Sequence, residues 1–339
     1  MIIQSDQLVK DPLVSVVIAT YNQVNFIEQT VMSALKQQCD FPFEVIVGDD
    51  GSDDGNRDVL LRIQKEHPER VKLVFNDDNL WVTKNYISTI KEARAPYIAT
   101  LDGDDIWVDC NKIQKQKDII ESDPTVSMVH TGFRSFNSET GETVAIVQKW
   151  ESPLTTQNGK ESVGHFLRHD FSSYPFGSSC FFRKNQYLSL LPRLDSLIND
   201  KGSTGEGTLL NVIMCMSGRY VFIPEVMVDY RILTSSLSHT TDKYMSIDFI
   251  LRYTNHRIIA AQCLELSDAI INDILSAGLM QALERSVRHC CYGYFIDRLK
   301  TSTFSVSNSE SCHIVKHYCS KVFVVKVLLM MLKRKIYAH

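Results

Sequence analysis

The stretch Tyr97-Ile98-Ala99-Thr100-Leu101-Asp102-Gly103-Asp104-Asp105 decides how the rest of the chain is read. It is an apolar run that ends abruptly in carboxylates, the pattern of a buried strand stopping at a ligand rather than at a solvated turn. Asp102 and Asp104 are separated by one residue, so at a strand end both can point the same way. Two carboxylates aimed at one spot repel unless positive charge lies between them. A divalent, oxygen-loving cation, Mn2+ or Mg2+, is the natural candidate. Gly103 lets the backbone turn tightly there. The competing reading is a polar loop that caps the helix that follows.

Upstream, Val14 to Tyr21 is a continuous β-branched run flanked by Pro12 and Asn22. Continuity rather than alternation predicts a strand buried on both faces, as in a parallel sheet. Phe26, Ile27, Val31, Ala34 and Leu35 then recur at helical spacing. Phe43 to Val47 predicts a second strand, closing on Gly48-Asp49-Asp50-Gly51-Ser52. Asp58 to Glu66 reads as helix until Pro68, Val71 to Phe75 as a third strand, and Val82 to Ala93 as a helix ended by Pro96. Strand and helix alternate four times. That is an α/β, Rossmann-like arrangement: a mainly parallel sheet with helices on both faces. Such sheets bind ligands at the carboxyl ends of their strands, and both Asp clusters fall there.

Downstream, the pattern predicts a polar helix from Asn111 to Glu121 and strands over Val126 to Phe136 and Glu142 to Val147. Ser162 to Arg168 reads as a short helix, Phe176 to Arg183 as small residues entering a strand, and Thr208 to Met216 as a helix. Arg219 to Ile223 and Val226 to Arg231 read as two strands around Pro224. From about Asp242 the composition turns helical: 245–264, 268–300 and 314–336, with a Ser-rich linker at 302–311. The organisation predicted is a domain over 1–240 and a helical C-terminal extension over 241–339. Trp81 and Trp107 flank the acidic motifs and read as core aromatics, with stacking on a sugar as the alternative. His289, Cys290 and Cys291 read as the interior of a helix.

The composition of the 339 residues narrows the function classes. Apolar residues make up 44% and charged ones 22%, which is the balance of a folded protein. A net charge of −4 gives no global pull toward nucleic acid. The nine cysteines contain no CxxC pair, so reduced thiols are expected and zinc is not. The N-terminus has no basic segment followed by an apolar one, and no apolar run is long enough to span a bilayer. The expected location is the cytoplasm. Val322 to Leu332 combines an apolar run with Lys316, Lys321, Lys326, Lys333, Arg334 and Lys335, and no acidic residue follows Glu310. The segment 313–336 is therefore expected either to lie peripherally on the inner face of the membrane or to contact protein, as in a homodimer.

The run Asp49-Asp50-Gly51-Ser52-Asp53-Asp54-Gly55 imitates a calcium loop beginning at Asp50, but the closing acid falls on Leu61. No GxGxxG or Walker lysine motif is present, which removes dinucleotide and P-loop readings. Ala19-Thr20-Tyr21-Asn22-Gln23-Val24-Asn25 lacks the Gly-rich, Arg-containing loop of a pyrophosphorylase-type nucleotidyltransferase.

Three motifs in order carry a resemblance: Val14-Ser15-Val16-Val17-Ile18-Ala19-Thr20-Tyr21-Asn22, Glu44-Val45-Ile46-Val47-Gly48-Asp49-Asp50-Gly51-Ser52 and Leu101-Asp102-Gly103-Asp104-Asp105. Together they resemble the family-2 inverting glycosyltransferases of GT-A fold, in the type that builds bacterial surface polysaccharide. The resemblance covers roughly residues 12 to 235. It implies that Thr20, Tyr21 and Asn22 line a nucleotide pocket and that Asp49 or Asp50 hydrogen-bonds the base. It implies that Lys84 lies near the nucleotide, Asp102 near ribose and metal, and Asp104 on the metal. Gly177-Ser178-Ser179-Cys180-Phe181-Phe182-Arg183 resembles the acceptor-side loop. The general base falls on Glu206 in Gly205-Glu206-Gly207, where the family usually has Asp in an acidic pair, with Asp200 as the alternative. Tyr230-Arg231-Ile232-Leu233 lacks the family's metal-supporting His, which leaves Arg231 to support diphosphate or metal and His239 to reach back. The implied activity is transfer of a sugar from a nucleotide-sugar donor to a glycan or lipid-linked glycan acceptor. The competing class is a non-catalytic sugar-nucleotide-binding partner of another transferase, suggested by the weakened base motif.

Overall fold

The computed structural model describes residues 1–152, 159–168, 175–200, 206–233, 242–301 and Ile314. Gly205, His239, the linker 302–311 and, apart from Ile314, the segment 313–336 lie outside the described residues. Parallel pairing joins β2 (Val14–Thr20), β3 (Phe43–Asp49), β4 (Val71–Phe75) and β5 (Tyr97–Asp102) in the order β4-β3-β2-β5. These are the four strands expected. Between them run α1 (Ile27–Leu35), α2 (Asn56–Glu66) and α3 (Val82–Glu92). The outer edge is closed by β1 (Ile2–Ile3), antiparallel to β4.

Beyond β5 the sheet becomes mixed. It continues through β9 (Phe181–Arg183), β7 (Val126–Asn137), β10 (Arg219–Ile232) and β6 (Ile106–Trp107). Strand β9 runs antiparallel to both β5 and β7, and β10 runs parallel to β7. The hairpin partner of β7 is β8 (Thr143–Val147). The two strands expected around Pro224 are one long strand, β10, whose register shifts between Ile223 and Val226 absorb the proline.

The sheet separates two cores because successive side chains on a strand face opposite ways. On one face Val16, Ile18, Val45, Val47 and Leu101 pack with α1, α2 and α4 (Lys112–Ser122). On the other, Val17, Ile46, Ile98 and Met128 pack with α3, α5 (Gly159–Arg168), α6 (Lys184–Leu190), α7 (Asp195–Ile198) and α8 (Glu206–Ser217). The same apolar cluster runs on into α9 (Lys243–Cys263), α10 (Asp268–Arg288) and α11 (Tyr292–Thr301). Each of these buried aliphatic side chains contributes about 1.5–3 kcal/mol relative to exposure.

Three local expectations are corrected. The helix expected over 268–300 breaks at His289–Cys291, where Cys290 takes a φ of 53°, so this trio forms a turn and not a helix interior. Trp107 is buried as expected, but Trp81 is 65% exposed. The seven described cysteines are all free. Among the described residues no helix is long and apolar enough to cross a membrane.

His130 on β7 is buried against Trp150, Phe222 and Tyr220, and among the described residues its Nε2 has no hydrogen-bond partner. Burial pushes its pKa down from 6.5 to about 3. Between those values the unfolded chain binds a proton that the folded chain does not, so stability rises with pH and is lost as pH falls below 6.5. Replacing His130 by Phe removes this term. In urea denaturation the decline in stability from pH 6 to pH 4 should become shallower by about 1 kcal/mol per pH unit. An unchanged slope would contradict this account of His130.

Candidate functional site

Parallel register brings the motifs together at one edge of the sheet. Thr20 lies opposite Asp49 and Ala19 opposite Asp102, so three loops leave neighbouring strands at the same level. Gly48 permits this edge to close. A Cβ there would lie 1.9 Å from Thr89 Oγ1 on α3.

The two carboxylates after β3 have different duties. Asp49 is fully buried and saturated: Arg57 Nε donates at 2.6 Å, Asn56 Nδ2 at 2.8 Å and Ser52 N–H at 3.1 Å. Asp50 accepts from Asn76 Nδ2 and Leu80 N–H, both at 2.9 Å and both through Oδ1. Its Oδ2 takes no hydrogen bond from the described residues, which leaves Asp50 as the member of the pair with an open acceptor. Thr20 is buried and donates to Gln23 Oε1 at 2.9 Å. Asn22, at a φ of 51°, bridges to the second loop through Ser52 Oγ and Asp53 N–H. Tyr21 and Lys84 are exposed.

After β5 the chain packs three carboxyl groups into one turn. Asp102 accepts from Tyr86 Oη at 2.5 Å and from Ser178 Oγ at 3.1 Å. The same hydroxyl lies 2.5 Å from Asp105 Oδ2, so its one proton serves one of the two carboxyl groups at a time, and it accepts from Asp102 N–H at 3.0 Å. Asp105 is fully buried and also takes Arg231 N–H at 3.0 Å. Gly103 has no room for a side chain, since a Cβ would lie 2.7 Å from Thr20 Cβ. Burial raises the pKa of Asp102, raises that of Asp104 to about 6 with help from the Asp102 charge, and holds Asp105 well above the carboxylate range.

Arg231 sits beside this turn rather than loose in a cleft. Its guanidinium stacks over Phe26 and Phe136 at 4.7 and 5.0 Å. It donates through Nε to the Asp104 carbonyl and through Nη2 to Gln29, both at 2.9 Å. Its charge partly offsets the rise in the pKa of Asp104.

Glu206 begins α8 and faces the same place. It lines a small, largely apolar cleft with Tyr86, Gly177, Phe182 and Tyr187. Burial and the Asp102 charge hold its pKa up to about 7. The alternative, Asp200, lies 3.5 Å from His256 Nδ1 instead. Burial of its surroundings and a nearby carboxylate therefore give Glu206 the proton affinity that a general base needs near neutral pH.

Tyr86, Ser178 and Asp105 hold this centre; Ser178 and Asp105 fall inside the quoted motifs without an assigned role, and Tyr86 falls in none. Asp105 is visible in the opening stretch and Tyr86 interrupts an apolar helix face, but their partners are distant in the chain. Asp102 and Asp104 offer hard oxygen donors whose mutual repulsion a divalent cation would relieve, so the donor set fits Mn2+ or Mg2+. Among the described residues no group of three or more His, Cys, Asp and Glu forms a closed cage. An ion here would share its ligands with substrate and water.

Comparison with known proteins agrees with this geometry. Residues 15–184, half of the chain, match the family described as Glycosyl transferase family 2. A putative teichuronic acid biosynthesis glycosyltransferase, TuaG of Bacillus subtilis, is 38% identical over 105 residues, 31% of this chain and 40% of that protein. The Escherichia coli UDP-Glc:alpha-D-GlcNAc-diphosphoundecaprenol beta-1,3-glucosyltransferase WfgD is 29% identical over 143 residues, 42% of this chain and 52% of that protein. The matched stretch spans 17% to 52% of the length of these and other curated relatives. The mannosyltransferase PcManGT of Pyrobaculum calidifontis, solved with GDP-Man and Mn2+, superposes with a TM-score of 0.50 at 16% identity, over 91% of this chain and 79% of that one. At that identity the likeness is one of fold.

Ser178 is the hinge of the carboxylate cluster, because Asp102 and Asp105 share its one hydroxyl. Ser178→Ala removes this shared hydrogen-bond partner from a buried carboxyl pair, and should cost about 1–3 kcal/mol in urea denaturation. A loss of about 0.5 kcal/mol or less, the size of an ordinary surface change, would mean that the cluster does not depend on Ser178.

Proposed function

The chain belongs to glycosyl transferase family 2 and has the GT-A fold, and on that premise we propose that it transfers a sugar from a nucleotide-sugar donor to a hydroxyl of a glycan or lipid-linked glycan, with inversion. One observation carries the reading. Glu206, at the start of α8, lines a cleft together with Tyr86, whose hydroxyl donates to Asp102 at the end of β5, and the Asp102 charge acts on Glu206 although 104 positions separate the two in the chain. A carboxyl group of near-neutral pKa beside a pair of carboxylates able to hold a cation suits a displacement in which negative charge builds on the leaving group while the attacking hydroxyl gives up its proton.

The donor's base lies toward Asp50, and its diphosphate toward Asp102 and Asp104. These two residues would hold Mn2+ or Mg2+, which when bound stabilises the charge that builds on a nucleoside diphosphate leaving group. Glu206 accepts the proton of the acceptor hydroxyl as that oxygen attacks the anomeric carbon from the face opposite the diphosphate. Attack in one step from that face inverts the centre. The hydrogen bonds from Tyr86 and Ser178 counter the rise that burial imposes on the pKa of Asp102 and hold its carboxyl group in place, and Arg231 limits the repulsion within the turn. The Mn2+ and GDP-Man of the mannosyltransferase support the donor side. The lipid-linked acceptor in the name of WfgD and the teichuronic acid in that of TuaG support a role in cell-surface polysaccharide synthesis.

Two variants separate the roles. Glu206→Gln should retain nucleotide affinity and lose turnover by about 100- to 10,000-fold, the span of general acid–base catalysis. Asp104→Asn should lose both turnover and metal-dependent nucleotide binding while its melting curve stays cooperative. Normal turnover in Glu206→Gln would remove the base from the scheme, and normal turnover in Asp104→Asn would remove the metal assignment.

A further inference from the structure

Trp81 is held in a backbone conformation that belongs to glycine. Its φ of 71° and ψ of 155° fall where a Cβ collides with the neighbouring peptide, and a bulky residue stays there only when its surroundings force it. Both sides of the residue are pinned. Its N–H donates to Asn79 Oδ1 at 2.8 Å, and its carbonyl accepts from Asn85 N–H at 3.0 Å at the start of α3. Such strain is commonly offset by packing of the side chain, and here it is not. The residue is 65% exposed, and among the described residues its indole makes no hydrogen bond, ring stack or cation contact. Glycine would close the same turn without strain and without an exposed indole. Among the described residues the indole has no partner that would offset this strain, which points to a contact with a ligand.

The neighbours identify that contact. Leu80, immediately before Trp81, donates its N–H to Asp50 Oδ1 at 2.9 Å. Gly51 backs onto the same segment so closely that a Cβ would lie 3.1 Å from Asn79 N. The stretch carrying Trp81 is therefore the wall of the Asp50–Gly51 turn. On the opposite side of that turn, Asn22 N–H bonds Ser52 Oγ at 2.9 Å and brings Tyr21, which is 47% exposed. Two exposed aromatic rings thus flank a buried carboxylate that has one open oxygen. A group with apolar faces and an N–H on its edge suits this arrangement, and a nucleobase is such a group. Lys84, one turn along α3 and exposed, adds positive charge on the side where phosphates would follow.

We propose that Trp81 is a stacking residue for the nucleobase of the donor, closing over a base whose edge is read by Asp50. The proposal rests on the transfer reading, since it takes the ligand to be a nucleoside diphosphate or its sugar ester. Stacking of a base on an aromatic side chain changes affinity by about tenfold or more, enough to retain a strained residue.

The test titrates UDP, GDP, ADP, CDP and dTDP by calorimetry into the full chain, as wild type, Trp81→Gly and Trp81→Phe, with Mg2+ present and with pyrophosphate as the base-free control. The nucleoside diphosphate that wild type binds should bind Trp81→Gly about tenfold or more weakly and Trp81→Phe within about threefold. Pyrophosphate should bind all three alike, and Trp81→Gly should melt no lower than wild type because strain is released. Equal nucleotide affinity in Trp81→Gly, or an equal loss for pyrophosphate, would overturn the stacking role. A lower melting temperature in Trp81→Gly would show that the indole serves the fold. If wild type itself binds none of the diphosphates, the transfer reading fails and the stacking role falls with it. That outcome is distinct because it appears before any variant is made.

Discussion

Four carboxyl groups, those of Asp102, Asp104, Asp105 and Glu206, converge where β5 ends and α8 begins, and the surrounding structure is arranged around their mutual repulsion. Like charges at such separations in a partly buried setting cost several kcal/mol unless protons, hydrogen bonds or cations intervene. The protein uses all three kinds of relief. Ser178 and Tyr86 donate to Asp102, Ser178 and the Arg231 amide bond Asp105, and the Arg231 guanidinium lies beside Asp104. Burial favours the protonated form of Asp105. What remains is the pair Asp102 and Asp104, with Glu206 near enough for the Asp102 charge to act on it.

That remainder depends on long-range packing. Ser178 reaches Asp102 because β9 inserts antiparallel beside β5, which turns the segment Gly177–Ser179 back over the strand end. Thr100 Oγ1 bonds the Gly177 carbonyl at 2.6 Å and Trp107 Nε1 the Ser178 carbonyl at 2.8 Å. Arg231 reaches Asp104 because β10 is long enough to run past β6 to the same edge. Glu206 is placed by α8, which packs on α3 and α5. Helices α9 and α10 close over this layer through Gly278, where a Cβ would lie 2.0 Å from Thr254 Oγ1. The helical region is thus continuous in packing with the layer that carries Glu206.

The first half of the fold is legible in the sequence because local signals agree there. Continuous β-branched runs, helical periodicity and the Gly–Asp clusters all point to parallel strands ending at a ligand. Glu206 is legible only through the family's motif order, since Gly205-Glu206-Gly207 has no spacing that would single it out. Ser178 and Asp105 acquire their roles through contacts 73 to 76 residues apart, and Tyr86 through a contact from α3 to the end of β5 that no periodicity or motif marks. The break at Cys290 is hidden because helix-forming residues surround it. Trp81 misleads in the opposite direction, because an aromatic residue beside a motif suggests the core while its backbone conformation places it at the rim.

The most direct test of the account is a panel of nucleotide sugars assayed for nucleoside diphosphate release by wild type, with Mn2+, Mg2+ or EDTA. Many transferases pass their sugar slowly to water, so the acceptor need not be known. The account predicts release from one donor, dependent on the cation and abolished by EDTA. No release from any donor, together with no binding of any nucleoside diphosphate by a cooperatively folded chain, would contradict it.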